Sequence, residues 1–273
     1  MNKRKPAFAG SFYPSSPVEL KSMISDYLSS AEDVPVNSEI ISLIVPHAGY
    51  IYSGPVAAYS YKKLSQINPE TVIILAPSHR ARFEGASVIR DGFYDTPIGS
   101  AEIDTDITDK LFKSKLFWYN SGIHDIEHSL EVQVPFIKTV VEKAKIVPVI
   151  IGTVELKDVN KLAEFLAYAV SSSGKKCAIV ISTDLSHYHP YPKAVEIDNK
   201  FICALESFDP EKVKSSIESG KTEACGEGPV LTGIYASKIL GATKTKILKY
   251  MNSGDTAGSK KEVVGYLSAA FIK

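Results

Sequence analysis

Four short runs of β-branched and aliphatic residues constrain what this chain can become. They fall at residues 41–45, 71–75, 146–151 and 177–181, and each is continuous rather than alternating in its apolar character. A strand that is apolar on both sides has to be covered on both faces. Residues 245–251 and 263–272 read as later strands, the second with partial alternation. Helical patterns lie between them. Ser16-Pro17-Val18-Glu19 offers an N-cap, proline at the first helical position and glutamate at the third, opening a helix to about Leu28. Pro55 opens another that runs through Tyr59 and Lys63. Val159, Leu162, Ala163, Leu166 and Val170 share one helical face, and residues 194–205 and 229–239 look similar. Strands alternating with helices specify an α/β domain whose central sheet is mostly parallel and flanked by helices. No repeat, low-complexity tract or linker interrupts the pattern, so residues 1–273 read as a single domain.

Composition narrows the function classes. Lys and Arg number 31 and Asp and Glu number 31, so the formal net charge is zero. That balance removes the usual electrostatic reason to expect nucleic acid or an anionic membrane as partner. No apolar run approaches the roughly 18 residues of a membrane span. The basic start, Met1 to Lys5, is not followed by an apolar signal core. Three cysteines without a Cys-x-x-Cys pair fit a reducing, cytoplasmic setting. Cys177 and Cys203 read as core residues.

The histidines carry the chemical signal. The first run ends in Pro46-His47-Ala48-Gly49-Tyr50, the second in Ala76-Pro77-Ser78-His79, and the fourth in Ser182-Thr183-Asp184-Leu185-Ser186-His187-Tyr188. In an open α/β sheet, ligands bind outside the carboxyl ends of the strands. Strand ends that repeatedly deliver His or Asp point to one shared site containing His47, His79, Asp184 and His187. A single such histidine reads more readily as a loop residue capping a carbonyl or exposed to water. His124 and His128 are four apart, which on a helix puts both on one face. Spacing alone leaves ligation and helix capping both open for that pair. Cys225, between Ala224 and Gly226 and just ahead of a helix opening near Pro229, sits where helix N–H groups favour a thiolate. Two imidazoles and a thiolate suit Fe(II), Cu or Zn. There is no phosphate-binding glycine loop, dinucleotide fingerprint or nucleophile elbow.

At these residues the sequence resembles the Memo (mediator of ErbB2-driven cell motility) family. The blocks that carry the resemblance are Ala9-Gly10-Ser11-Phe12-Tyr13-Pro14, residues 46–54, Ser78-His79, Glu127-His128-Ser129-Leu130-Glu131, residues 182–188 and Ala224-Cys225-Gly226. They come in the family's order and span nearly the whole chain. The resemblance implies a fold similar to class III extradiol dioxygenases, whose nonheme iron is held by two His and a carboxylate. It implies a cysteine in place of that carboxylate, so that His47, His79 and Cys225 match the metal positions. Fe(II) is then favoured over Cu or Zn. Asp184 and His187 match pocket residues, and His128 matches a pocket wall or proton donor. Phe12 stands where animal relatives carry Trp, a departure in a region tied there to phosphotyrosine-peptide binding. Microbial members are associated with AMMECR-like and radical SAM proteins.

Three functional readings follow. One is a redox or oxygen-activating metal protein in which His187, Asp184 and His128 serve catalysis. The second is a peptide- or protein-binding scaffold with a vestigial pocket, in which Phe12, Tyr13, Tyr50 and Tyr52 line a cleft for a peptide or small ligand. The third is a hydrolase with Cys225 as nucleophile beside His187 or His79.

Overall fold

The computed structural model describes residues 3–152, 156–256 and 258–273, and for 156 and 157 the backbone only. Met1 and Asn2 of the basic start lie outside the described residues. The strands are β1 (Lys3–Arg4), β2 (Ile40–Val45), β3 (Thr71–Pro77), β4 (Ala86–Val88), β5 (Phe93–Thr96), β6 (Gly99–Glu102), β7 (Phe117–Trp118), β8 (Lys145–Ile151), β9 (Cys177–Ser182), β10 (His187–His189), β11 (Lys244–Asn252) and β12 (Val263–Ile272). The helices are α1 (Pro17–Ser30), α2 (Tyr50–Ile67), α3 (Thr105–Leu111), α4 (Ser121–Asp125), α5 (His128–Glu131), α6 (Gln133–Val140), α7 (Leu156–Ser171), α8 (Tyr191–Glu206), α9 (Pro210–Glu218), α10 (Glu227–Ile239) and α11 (Ser253–Thr256).

The four continuous apolar runs are the centre of the main sheet. They lie in the order β2, β9, β3, β8, all parallel. Both faces are covered, as continuous runs require. Leu43, Val45, Val72, Ile74 and Val180 pack into one core with α1, α2 and α6. Ile44, Ile73, Leu75, Ile179 and Ile181 pack into the other with α7, α8 and α10. The period of two along each strand thus sorts neighbouring residues into opposite cores.

The parallel character stops at the flanks, so the sheet is mixed. β12 is antiparallel to β2, β11 and β10 are antiparallel to β12, and β4 is antiparallel to β8. A separate three-stranded sheet joins β1 to the β5–β6 hairpin. Among the described residues, no helix is long and apolar enough to cross a membrane.

Local expectations fare unevenly. Ser16 caps α1 as its sequence suggests, its Oγ accepting from Glu19 N. Pro55 does not open α2. It lies inside the helix, which begins at Tyr50 behind the N-cap Gly49. His124 and His128 do not share a helix face, because the chain breaks between α4 and α5 and Glu127 caps the second. Cys203 is exposed on α8, outside the core, and Cys177 is half-buried. A helix with one apolar stripe leaves such a position facing water.

The amino ends of the strands are fastened by Asp104. Its buried carboxylate accepts from Thr71 Oγ1 at 2.5 Å and from Lys175 Nζ at 2.8 Å, and it caps α3. Burial alone would raise its pKa; the bonds from Lys175 and Thr71 outweigh that and lower it. Its contribution is therefore full above the ordinary Asp value and fades as pH falls below it. Asp104→Asn, which keeps a capping oxygen, should cost about 1.5–3 kcal/mol near neutrality. Urea midpoints measured against pH should show the gap to wild type closing below about pH 4.

Candidate metal centre

Because β2, β9 and β3 are parallel neighbours, their carboxyl ends open at one place. His47 lies two residues past β2, His79 two past β3, and Asp184 two past β9. The loop before α10 brings Cys225 to the same place, and α5 brings His128. The His47 and His79 rings are 5.1 Å apart between centroids, His47 and His128 5.5 Å, and His79 and His128 4.7 Å and nearly stacked. One donor atom from each of the three lies within 4.8 Å of the others. Cys225 Sγ is 3.1 Å from His47 Nε2.

Each strand-end imidazole is held by its other nitrogen. His47 Nδ1 is 2.9 Å from Ser182 Oγ. The Ser182 hydroxyl donates to Ser129 O at 2.8 Å, so toward His47 it accepts. Gln133 Nε2 donates to the same oxygen and to Pro46 O, and Tyr61 OH donates to Gln133 Oε1. This buried network places the His47 proton on Nδ1 and the lone pair on Nε2. His79 is fixed by Glu127, whose Oε1 lies 2.9 Å from Nδ1 and whose Oε2 accepts from His79 N at 2.6 Å. Burial works against the Glu127 carboxylate, but the bonds from His79 and from Ser129 N hold its pKa down at about 2.

Burial favours the neutral, metal-binding form of three of the imidazoles. Burial, and then the neighbouring His79, His128 and His187, push His47 well below the ordinary imidazole value. Burial also brings His128 to about 4 and lowers His187. His128 Nδ1 is buried, lies 3.2 Å from Glu127 Oε1 and makes no hydrogen bond. Neutral nitrogen donors are the ligating species.

Asp184 and Cys225 clasp one another. Cys225 N donates to Asp184 O at 3.2 Å, and Asp184 N donates to Cys225 Sγ at 3.2 Å. Asp184 Oδ1 accepts from His47 N at 2.7 Å, which joins two strand ends. Burial outweighs those bonds and raises its carboxyl to about 7. The expectation of a helix-lowered Cys225 pKa is overturned: burial, then the nearby Asp184, push the thiol up. An N–H that reaches the sulfur comes from Asp184, just past β9, rather than from α10.

Of the sequence-derived set, His47, His79, Asp184 and Cys225 are brought together, with His128 stacked on His79. His187 is near enough to depress His47, while His189 turns away to Glu223 at 2.8 Å. His124 is separate, buried, with Nε2 3.1 Å from Ser87 Oγ. Sequence reasoning missed Ser182, Gln133 and Glu127. For Gln133 the available signal was a neutral polar residue inside an apolar run, Val132-Gln133-Val134.

The family model described as Memo-like protein matches residues 4–270. The chain belongs to the Memo family. A MEMO1 family protein of Sulfolobus acidocaldarius is 39% identical over 281 residues, covering 98% of this chain and 99% of its own. One of Methanopyrus kandleri is 35% identical over 279 residues, with 98% and 99% covered. Among solved structures, an uncharacterised protein of Escherichia coli K12 shares the fold. Its TM-score is 0.59 at 15% identity, with 85% of this chain and all of that chain covered.

The Memo-family loop that carries Cys225 depends on one close approach. A Cβ on Gly226 would stand 2.5 Å from Ser182 O and 2.7 Å from Thr183 Cβ, contacts that backbone and a packed side chain cannot yield cheaply. Gly226→Ala should therefore cost about 1–3 kcal/mol. In a crystal structure of the variant, Cys225 Sγ should move off His47 Nε2. An unchanged sulfur position and melting temperature would refute this.

Proposed function

We propose that this Memo-family protein binds a redox-capable divalent metal, Fe(II) in preference to Cu or Zn, through His47 Nε2, His79 Nε2 and the Cys225 thiolate. The observation that carries the reading is the matched anchoring of the two imidazoles. Each has Nδ1 tied to a buried oxygen, on Ser182 or Glu127, and each leaves Nε2 without a second anchor from the strand ends. This outer-shell arrangement orients metal-binding histidines. The sulfur contact supports the third ligand. Two donors on one tetrahedral ion stand about 3.5 Å apart, close to the 3.1 Å between Cys225 Sγ and His47 Nε2. The Asp184 N–H aimed at the sulfur suits a thiolate.

A bound ion would supply Lewis-acid polarisation and a change of oxidation state. The chain's own residues supply the rest. Asp184 holds the His47 main chain in place. His128 and His187 offer neutral imidazoles that take up a proton at a ring nitrogen. Phe12, Tyr13, Tyr50 and Tyr52 line an adjoining cleft of about 220 Å³, sized for a small molecule or one peptide side chain. A second reading has its own observation: the three clustered histidines make an all-imidazole set, with His128 replacing Cys225.

Metal analysis after anaerobic Fe(II) loading and desalting separates these. Wild type should retain iron stoichiometrically, and His47→Ala and His79→Ala should lose it. Ser182→Ala should weaken binding by about 10–100-fold. Loss in Cys225→Ser with retention in His128→Ala supports the thiolate set; the reverse supports the all-imidazole set. No uptake by wild type would overturn both.

A further inference from the structure

We infer that Glu131 is a positioning residue that docks the N-terminal segment, residues 4–13, as a wall of the site against His128. Glu131 is the last residue of α5, the four-residue helix that His128 begins. Its carboxylate is fully buried and takes four donors, all from one stretch of chain. They are Arg4 Nη1, Ala7 N at 3.0 Å, Phe8 N at 2.8 Å and Tyr13 OH at 2.5 Å. Arg4 is buried as well, and it donates to His124 O through Nε and Nη2. A buried carboxylate whose oxygens are all engaged by charge-assisted and main-chain donors is a strong anchor.

The segment is folded so that its aromatic rings face the site. Gly10, at φ +87°, turns the chain, and Gly10 N donates to Tyr13 O at 2.7 Å. A side chain at that φ would be strained. The turn lays Phe12 against His128, with ring centroids 4.5 Å apart, and Phe8 edge-on at 5.7 Å. Phe12 O accepts from Tyr50 N at 2.8 Å, so the same segment also holds the start of α2 just beyond His47. One carboxylate thereby couples a remote stretch of sequence to two of the site histidines. The metal proposal does not need this contact, and the contact does not need the metal. Only its consequence, that the wall fixes His128 in a metal site, rests on that reading.

The test is the rate at which diethyl pyrocarbonate modifies His128 in metal-free protein at pH 7, read by peptide mass spectrometry. His189, about a third exposed, serves as the internal control. Glu131→Gln sets an amide NH₂ against main-chain and side-chain donors, and Phe12→Ala removes the ring while keeping the anchor. Both should speed His128 modification by about tenfold or more, as expected when docking loses a charge-assisted contact or its packing partner. His189 should be unchanged. Hydrogen exchange across residues 7–13 should accelerate in Glu131→Gln and stay slow in Phe12→Ala, a difference that general destabilisation would not give. Phe12→Leu should restore much of the shielding. If Glu131→Gln does not fold, Tyr13→Phe, which removes one of the four donors to Glu131, takes its place and should likewise accelerate exchange across residues 7–13 and modification of His128. Wild-type rates at His128 in the folded variants would overturn the inference.

Discussion

The parallel pairing of β2, β9 and β3 is the constraint on which the rest depends. Three adjacent strands running the same way end on one edge of the sheet, so residues 47, 79 and 184 arrive together although they are far apart in sequence. Helices on both faces leave that edge as the place where polar groups collect. Glycine at 226 then lets the loop before α10 come within backbone distance of β9 and bring Cys225 into the group.

Gathering so many polar side chains in a buried place is costly unless each is satisfied. The chain meets that cost through neutrality and hydrogen bonding. Burial keeps His47, His128 and His187 uncharged. Ser182, Gln133 and Tyr61 form one closed relay behind His47, and Glu127 serves His79, the α5 cap and the neighbourhood of His128 at once. These outer groups decide which nitrogen faces the site. Among the described residues, His128 Nδ1 is one of a few buried polar atoms left unpartnered, and it lies against the His79 ring.

Much of this was legible in the residues. The central strands could be read because burial on both faces demands unbroken apolar runs, and strand ends then located His47, His79 and Asp184. The flanks could not. β4, β5 and β7 are two to four residues long, too short for any period to show. β10 is His-Tyr-His, a polar triplet held in place by β12, with Tyr188 at φ +61°. Pro55 misplaced the start of α2 because proline usually opens a helix, whereas here the helix begins at the turn after His47. The break between His124 and His128 was hidden because glutamate is an uncommon N-cap, so Glu127 gave no capping signal. The Cys225 thiol departs from the sequence expectation because helix position is local information, whereas burial and Asp184 are tertiary.

X-ray absorption at the iron K-edge of anaerobically Fe(II)-loaded protein tests the central claim most directly. A first shell containing one sulfur with two or more imidazole nitrogens, the sulfur absent in Cys225→Ser, is the result this account predicts. A shell of imidazole nitrogen and oxygen alone, unchanged by that substitution, would contradict it.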